Sequence, residues 1–373
     1  SRRSPSGLPF GSMADNGSER TGREELLRAE ITPPDLPESA EMADATVMRR
    51  LLTVFACLLA AVSSASTAGA LPAPLPSASA TPLCGALAGQ PVSVSHVIVI
   101  VMENHSYRDL IGRAGSSAAS QAPYINGTLK RDCGLATNYH AVSHPSLPNY
   151  IALVAGSRGG ISTDCTSCTS GAGNVFRQLG AAGRSWRVYA ESMPSSCSRL
   201  ASAGEYLKRH NPATYFPAIA SDCARWDVPM GGSSGHLAEA LSRNRLHAYS
   251  MVVPNACNDM HDCSIATGDH WLSTWIPRIT HPADYRAGRT AVFVVWDEGE
   301  GGGYGGEDCL AQLSDRSCHV PALVLSAYTP AGTRSSLLFS HLSVLRTAQS
   351  LLGLSPFLGG SAHANGMRRP FGL

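Results

Sequence analysis

The sequence predicts an α/β domain with a mostly parallel central sheet and helices on both faces. Three observations carry that expectation: apolar, β-branched runs of strand length without polar alternation, helix-compatible stretches between them, and polar residues where the runs end. The first run is HVIVIVM at 96–102, whose unbroken apolar character fits a central strand covered on both faces. Similar runs recur as SWRVYAE at 185–191, YSMVVPN at 249–255, TAVFVVWDE at 290–298 and VPALVLSA at 320–327. Stretches 174–182, 235–242 and 342–352 read as intervening helices. No internal repeat and no second boundary interrupts the series, so one domain over 93–373 is expected.

Composition agrees with an enzyme-sized globular domain. The 373 residues are 43% hydrophobic and 15% charged, which argues against a disordered chain. A formal net charge of +1 provides no overall field to draw the protein to nucleic acid or anionic lipid, so binding depends on a local site.

The N-terminal part reads as export machinery. Residues 1–47 lack periodic apolar patterning and are expected to be disordered or a spurious extension. From Met48 the chain has two arginines, an apolar run and small residues ending at Ala70, which predicts a signal peptide over 48–70. The apolar run is shorter than the ~20 residues of a spanning helix, so no stable membrane span is expected after cleavage. An Ala/Pro/Ser-rich linker is expected over 71–92, and the mature protein is expected outside the cell.

Of the 11 cysteines, Cys57 lies in the signal, which leaves ten for disulfides in an exported chain. Short intervals favour Cys165 with Cys168, Cys257 with Cys263, and Cys309 with Cys318; the rest are left open. CTSC at 165–168 also has redox spacing, but its Ser/Thr/Gly-rich surroundings give no βαβ context.

Polar residues follow the strands in a suggestive way. Glu103 and Asn104 end the first run, Glu191 the second, Asn255 with Asp259 and His261 the third, Asp297 with Glu298 the fourth. Ligands of open α/β sheets bind outside the carboxyl ends of strands, so these groups are expected to gather at one edge. Converging carboxylates without lysines repel one another unless a cation sits among them. Oxygen ligands from Glu103, Asn104, Asp297 and Glu298, with Asp259 and imidazoles from His261 or His341, fit Zn, Mg, Mn or Ca. Taken singly, each acid is equally a solvated loop start. Asn255 and Glu191 are candidate substrate contacts.

SHPSLPNY at 143–150, followed by IALVAGS, reads as a turn entering a helix. A hydroxyl there is placed to attack a phosphorus, which makes Ser146 a candidate nucleophile and His144 a candidate proton donor. An N-cap serine with a proline in the first turn would look the same. The stretch 254–271 is expected as one loop bearing Asp259, His261, Asp262, Asp269 and His270, pinned if Cys257 and Cys263 pair. GEGGGYGG at 299–306 lacks the GK(S/T) of a P-loop and is expected to form a lip over the site. Neither a GxSxG elbow nor an HExxH helix occurs.

Together, HVIVIVMENHSY, SHPSLPNYIALVAG, YAESMP, VPNACNDMHDCSIATGDHWL, VVWDEGEGG and SHLSVLRTAQSLLGL resemble the phosphoesterase family of secreted acid phosphatases and phospholipase C-type enzymes. That family stands within the alkaline-phosphatase-like superfamily, and the likeness is greatest to actinobacterial secreted acid phosphatases acting on phosphoinositides. The resemblance implies an alkaline-phosphatase-like fold, Glu103, Asn104, Asp297 and Glu298 as ligands of a divalent metal, and Ser146 as the phosphorylated nucleophile. By analogy with the superfamily, Asp259, His261 and His341 serve a second metal or the phosphate. Glu298 stands where many superfamily members carry a histidine. The expected activity is hydrolysis of phosphate monoesters, phosphoinositides included, through a phosphoserine. A phospholipase C-type diesterase and a non-catalytic, metal-stabilised secreted binding protein are the alternatives.

Overall fold

The structure is a computed structural model and describes residues 82–113, 115–301 and 307–373. The expected extension over 1–47, the signal peptide, the first half of the linker (71–81) and residues 302–306 of the glycine-rich segment lie outside the described residues.

Eight strands form one sheet: β1 (His96–Met102), β2 (Gly134–Ala136), β3 (Trp186–Ala190), β4 (Asp227–Pro229), β5 (Tyr249–Val253), β6 (Thr290–Trp296), β7 (Ala322–Leu325) and β8 (Arg334–Ser335). Their spatial order is β8-β2-β7-β6-β1-β5-β3-β4. β1 lies in the middle, parallel to both β5 and β6, with Met102 beside Trp296 in register. Every residue from Val97 to Met102 and from Thr290 to Trp296 is buried, so both faces of the centre are covered. Burying such Val, Ile and Phe side chains stabilises by about 1.5–3 kcal/mol each, which is why these runs contain no polar alternation.

The helices that matter here are α1 (Ser146–Ala155), α2 (Val175–Ala181), α3 (His236–Ser242), α4 (Ile265–Thr280) and α5 (His341–Leu351). Three match the stretches expected from sequence, with Asn174 capping α2 through Arg177 N and Ser340 capping α5 in a box with Ser343. All ten residues of α1 are buried, and it packs against α5.

Three expectations need correction. The 320–327 run becomes β7, which is antiparallel to both neighbours. Among the described residues between Glu298 and β7 there is no crossover helix, the connection being the Cys309–Cys318 loop, and a strand re-entering that way runs backwards. The 254–271 stretch is not one loop: α4 begins at Ile265, capped by Ser264, so Asp269 and His270 are helical. Finally, part of the 71–92 linker belongs to the domain. Cys84 is bonded to Cys133, Leu83 O accepts from Tyr285, and Gly85 N–H donates to Ser326 O.

All ten described cysteines pair, as Cys84–Cys133, Cys165–Cys168, Cys197–Cys223, Cys257–Cys263 and Cys309–Cys318. Cys165–Cys168 lies in irregular loop. No described helix is long and apolar enough to cross a membrane.

Candidate active site

The register of the three central strands sets the site. Glu103 follows β1, Asp297 follows β6 and Asp259 lies six residues beyond β5, so their parallel ends meet. Two backbone bonds lock the convergence: Asp297 N–H donates to Met102 O (3.0 Å) and Glu103 N–H to Asp259 O (2.9 Å). Glu103, Asp259 and Asp297 are fully buried and Glu298 nearly so. Glycine is required at 299, because a Cβ there would meet Ser106 Oγ at 2.3 Å and Ser317 O at 2.8 Å.

Ser146 is the first residue of α1, not its cap; Pro145 holds the cap position. Its hydroxyl instead donates to Glu103 Oε2 at 3.1 Å. Asn149 fixes the approach to this helix, accepting from Val142 N and Ser143 N and donating to Ser143 O and Glu298 Oε2. The N–H of Leu147 is already taken by Asp164 Oδ1 at 2.9 Å.

The carboxylates are poorly satisfied. Glu103 Oε1, Asp259 Oδ2 and both side-chain oxygens of Asp297 are buried without a hydrogen-bond donor, and so is His210 Nε2 without a partner. His210 Nε2 lies 3.1 Å from Glu103 Oε1 and its Nδ1 3.3 Å from Asp259 Oδ2, near enough for electrostatic attraction but without hydrogen-bond geometry. Burial, joined by the charges of Glu103 and Glu298, pushes the Asp297 carboxyl well above the usual range. Burial also raises Glu103 and Glu298 and carries Asp259 up to about 8. Burial lowers His210 to about 4 despite Glu103 beside it, leaving the ring neutral.

Each orphaned buried group costs about 1–3 kcal/mol, so this arrangement is stable only with something that satisfies it. A divalent cation fits the donor set, which combines carboxylate oxygens with neutral imidazole nitrogen. Ligand atoms of Glu103, His210 and His261 all lie within 4.8 Å of one another. Two other clusters, His144 with Cys309 and Cys318 and Asp227 with Cys197 and Cys223, do not qualify because their sulfurs are in disulfides.

The structure brings Glu103, Ser146, Asp259, Asp297 and Glu298 together, with His261 close by, and leaves Asn104 half-buried directly after Glu103. His261 Nδ1 donates to Asp262 (2.6 Å), and its Nε2 faces Arg209 Nη2 at 3.2 Å. The Asp259–His261 loop is held by Cys257–Cys263 and carries Met260 at φ +86°, a left-handed conformation costly for a residue with a side chain.

Four expected residues take other places. His341 Nε2–H donates to Asp297 O (2.6 Å) and its Nδ1 accepts from Tyr139 (2.8 Å), so neither nitrogen is free for a metal. It stands behind Asp297 as a support. His144 Nδ1 lies 3.0 Å from Glu298 Oε2, and its Nε2 3.0 Å from Ser317 Oγ, whose own proton goes to Asp315. Both ring nitrogens therefore donate, which describes an imidazolium paired with Glu298. Burial opposes that charge, but the hydrogen bond and charge of Glu298 prevail and raise its pKa. Glu191 and Asn255 brace each other: Glu191 accepts from Asn255 N and Asn258 Nδ2, while Asn255 Nδ2 donates to Ser192. Their polar groups are occupied in holding the loop.

Sequence reasoning missed His210, Tyr150, Asp164 and Arg209. Tyr150 stacks on His210 at 5.2 Å, with its hydroxyl buried and unpartnered. Its spacing from Ser146, four residues along one helix, was a readable signal of a shared face. His210 and Arg209 come from a single 3-10 turn, Lys208–His210, with no pattern to announce them.

The sequence profile described as the phosphoesterase family matches residues 118–355. The chain belongs to the phosphoesterase family. It is accordingly a hydrolase of phosphoric esters. A phosphatidylinositol-3-phosphatase of Mycobacterium tuberculosis is 31% identical over 298 residues, covering 80% of this chain and 86% of that protein. An acid phosphatase of Aspergillus fumigatus is 25% identical over 236 residues, 60% of this chain; the chain spans about half the length of that relative, 49%. Among solved structures, a protein of the alkaline phosphatase superfamily from Vibrio parahaemolyticus superposes with a TM-score of 0.50 at 13% identity, covering 76% of this chain and 74% of that one. This last likeness concerns the fold alone, which agrees with the architecture expected for a phosphoesterase.

Proposed function

We propose that this phosphoesterase is a secreted, divalent-metal-dependent phosphatase of monoesters, phosphoinositide headgroups among them, with Ser146 as nucleophile. The observation that carries the reading is Ser146 Oγ held on Glu103 Oε2 at the start of a buried helix, inside a cluster of donor-less carboxylates. The names of the mycobacterial and fungal relatives support the substrate class. Five disulfides and the signal-like segment at 48–70 support export, with 93–373 as the core of the catalytic domain.

Glu103, Asn104, Asp259, Asp297 and Glu298, with His210, would hold the metal, and His261 would join them once its Nε2 exchanges the Arg209 guanidinium for the ion. Their imidazoles favour Zn or Mn over Mg or Ca. Such an ion supplies Lewis acidity toward phosphoryl oxygen and lowers the pKa of a nearby hydroxyl. The chain's own residues do the rest. Ser146 Oγ attacks phosphorus while its proton passes to Glu103 Oε2, already its hydrogen-bond partner. The ester P–O bond breaks, the leaving oxygen takes the proton that Glu103 received and departs as the alcohol, and water then attacks the phosphoserine, releasing inorganic phosphate and returning a proton to Ser146 Oγ. His144 keeps Glu298 ionised and fixed in place of acting as an acid, and His341 orients Asp297.

Ser146→Ala is expected to lower kcat/KM on p-nitrophenyl phosphate by about 10⁴-fold, and acid-quenched wild-type enzyme to carry phosphate on Ser146. Full activity of the variant would overturn the assignment. Release from phosphomonoesters exceeding release from phosphatidylcholine separates this reading from a phospholipase C-type diesterase.

A further inference from the structure

The opposite edge of the sheet has the reverse chemistry. Arg187 is the second residue of β3, in register with Ser250 at the start of β5, and Arg245 and His247 lie just before β5. These groups stand at the N-terminal ends of strands, while the carboxylate cluster stands beyond C-terminal ends. With His236, Glu239 and Arg243 from α3 and its cap, they line a cavity of about 290 Å³.

Its charge is not balanced. Glu239 is the one carboxylate in the lining, and it is taken by Arg243 at 3.0 Å. Arg187 lies over the Trp226 ring, 5.4 Å from its centroid, and its Nε is buried with no acceptor. A second guanidinium, Arg225, stacks on the same indole at 4.5 Å and adds like charge. Arg245 is exposed at the rim; its backbone N–H bonds to Ala240 O, and among the described residues its guanidinium has no acidic partner. Three guanidiniums, those of Arg187, Arg243 and Arg245, thus line the cavity against a single carboxylate, an excess of positive charge that an occupant bringing oxygen acceptors neutralises.

We infer that this cavity binds a tetrahedral oxyanion, a phosphate group, through Arg187 and Arg245, apart from the reaction centre. Guanidinium forks match phosphate oxygens and engage them two at a time, which a single carboxylate does less fully. The volume suits a phosphate or a phosphorylated headgroup and is too small for a polymer. Because the cavity and the carboxylate cluster sit at opposite strand ends, an occupant here leaves the reacting ester undisturbed. The inference does not depend on Ser146 or on a metal.

The source of the phosphate, free ion or lipid headgroup, is separated by two measurements on the intact protein. In the first, inorganic phosphate is titrated while the Arg187 Nε–H resonance is followed in arginine-labelled protein. The resonance is expected to shift, with a midpoint weakened about fivefold or more by Arg245→Gln and unaltered by Asp297→Asn. In the second, sedimentation with phosphatidylcholine vesicles is compared with and without phosphatidylinositol 4-phosphate. Binding only to the phosphorylated vesicles, lost in Arg245→Gln, assigns the site to a lipid headgroup. A phosphate shift without vesicle binding assigns it to the free ion. Arg245 is exposed, and hydrolysis of p-nitrophenyl phosphate at the wild-type rate confirms that its variant is folded. A silent resonance together with no vesicle binding, or a shift indifferent to Arg245→Gln, overturns the inference.

Discussion

Asp269 on α4 and Asp297 at the end of β6 are both buried aspartates, 3% and 0% exposed, yet they are treated oppositely. Asp269 accepts from Tyr124 N at 2.9 Å and Ile125 N at 2.8 Å and ties α4 to the segment before β2. Asp297 has no donor for either oxygen and faces other acids. Burial raises both carboxyls, but the two N–H groups pull Asp269 back, while the charges of Glu103 and Glu298 drive Asp297 further. The first is a carboxylate that the fold uses; the second is one that the fold tolerates, and only an outside ligand completes it.

The comparison breaks most visibly on catalysis. Asp297→Asn is expected to cost about 10³-fold in kcat/KM, near 4 kcal/mol, with no loss in Tm relative to metal-free wild type because an acid repelled by Glu103 and Glu298 is removed. An active variant, or one that unfolds, would erase the distinction. Asp269→Ala should do the opposite. Leaving two N–H groups unpaired lowers unfolding stability by about 3 kcal/mol while turnover of folded protein stays near wild type. Exhaustive chelation tests the missing ligand itself. Activity should vanish and stability fall by about 2.7 kcal/mol, if the ion was present at a hundredfold excess over Kd, with both restored by a divalent cation. Chelation should not alter Asp297→Asn stability to the same extent. An indifferent wild type would remove the metal from the reading.

The last test concerns a third buried acid. Asp227 accepts from Asn211 Nδ2 through both oxygens, at 3.0 and 2.9 Å, and burial raises it to about 7. Its folded pKa lies above the ordinary 3.8, so the folded state keeps a proton that the unfolded chain releases. Stability from this group is full below about pH 4 and declines as pH rises toward 7. Denaturant midpoints between pH 4 and 7 should therefore slope less in Asp227→Asn than in wild type; equal slopes would show that Asp227 ionises normally.

Much of this was readable beforehand, because strand-length apolar runs and the acids that end them are local patterns. Glu103, Asp297 and Glu298 needed only the rule that parallel strands present their carboxyl ends together. What stayed hidden was set by contacts distant in sequence. His210 meets Glu103 across 107 positions with no motif of its own, and His341 cannot be told from a ligand until Tyr139 and the Asp297 carbonyl are seen to occupy both nitrogens. The direction of β7 depended on its connection from β6, in which the described residues form no crossover helix. α4 was hidden by the loop before it, although Ser264 and the spacing of Ile265, Trp271, Leu272, Trp275 and Ile276 marked its start and its apolar face.

The in-register pairing of Met102 with Trp296 also acts as a ruler. Neighbouring strands keep a separation of about 4.8 Å whatever side chains they carry, so Glu103 and Asp297 are spaced by the backbone. Exchanging an acid for a histidine or an amide at either strand end would change the charge of the site and leave its pitch unaltered. A one-residue slip between the two strands would do the reverse, retaining every ligand type while pointing one of them into the core. Laboratory diversification at residues 103 and 297 would change the chemistry of the site without moving it, whereas the strands that deliver them admit almost no change.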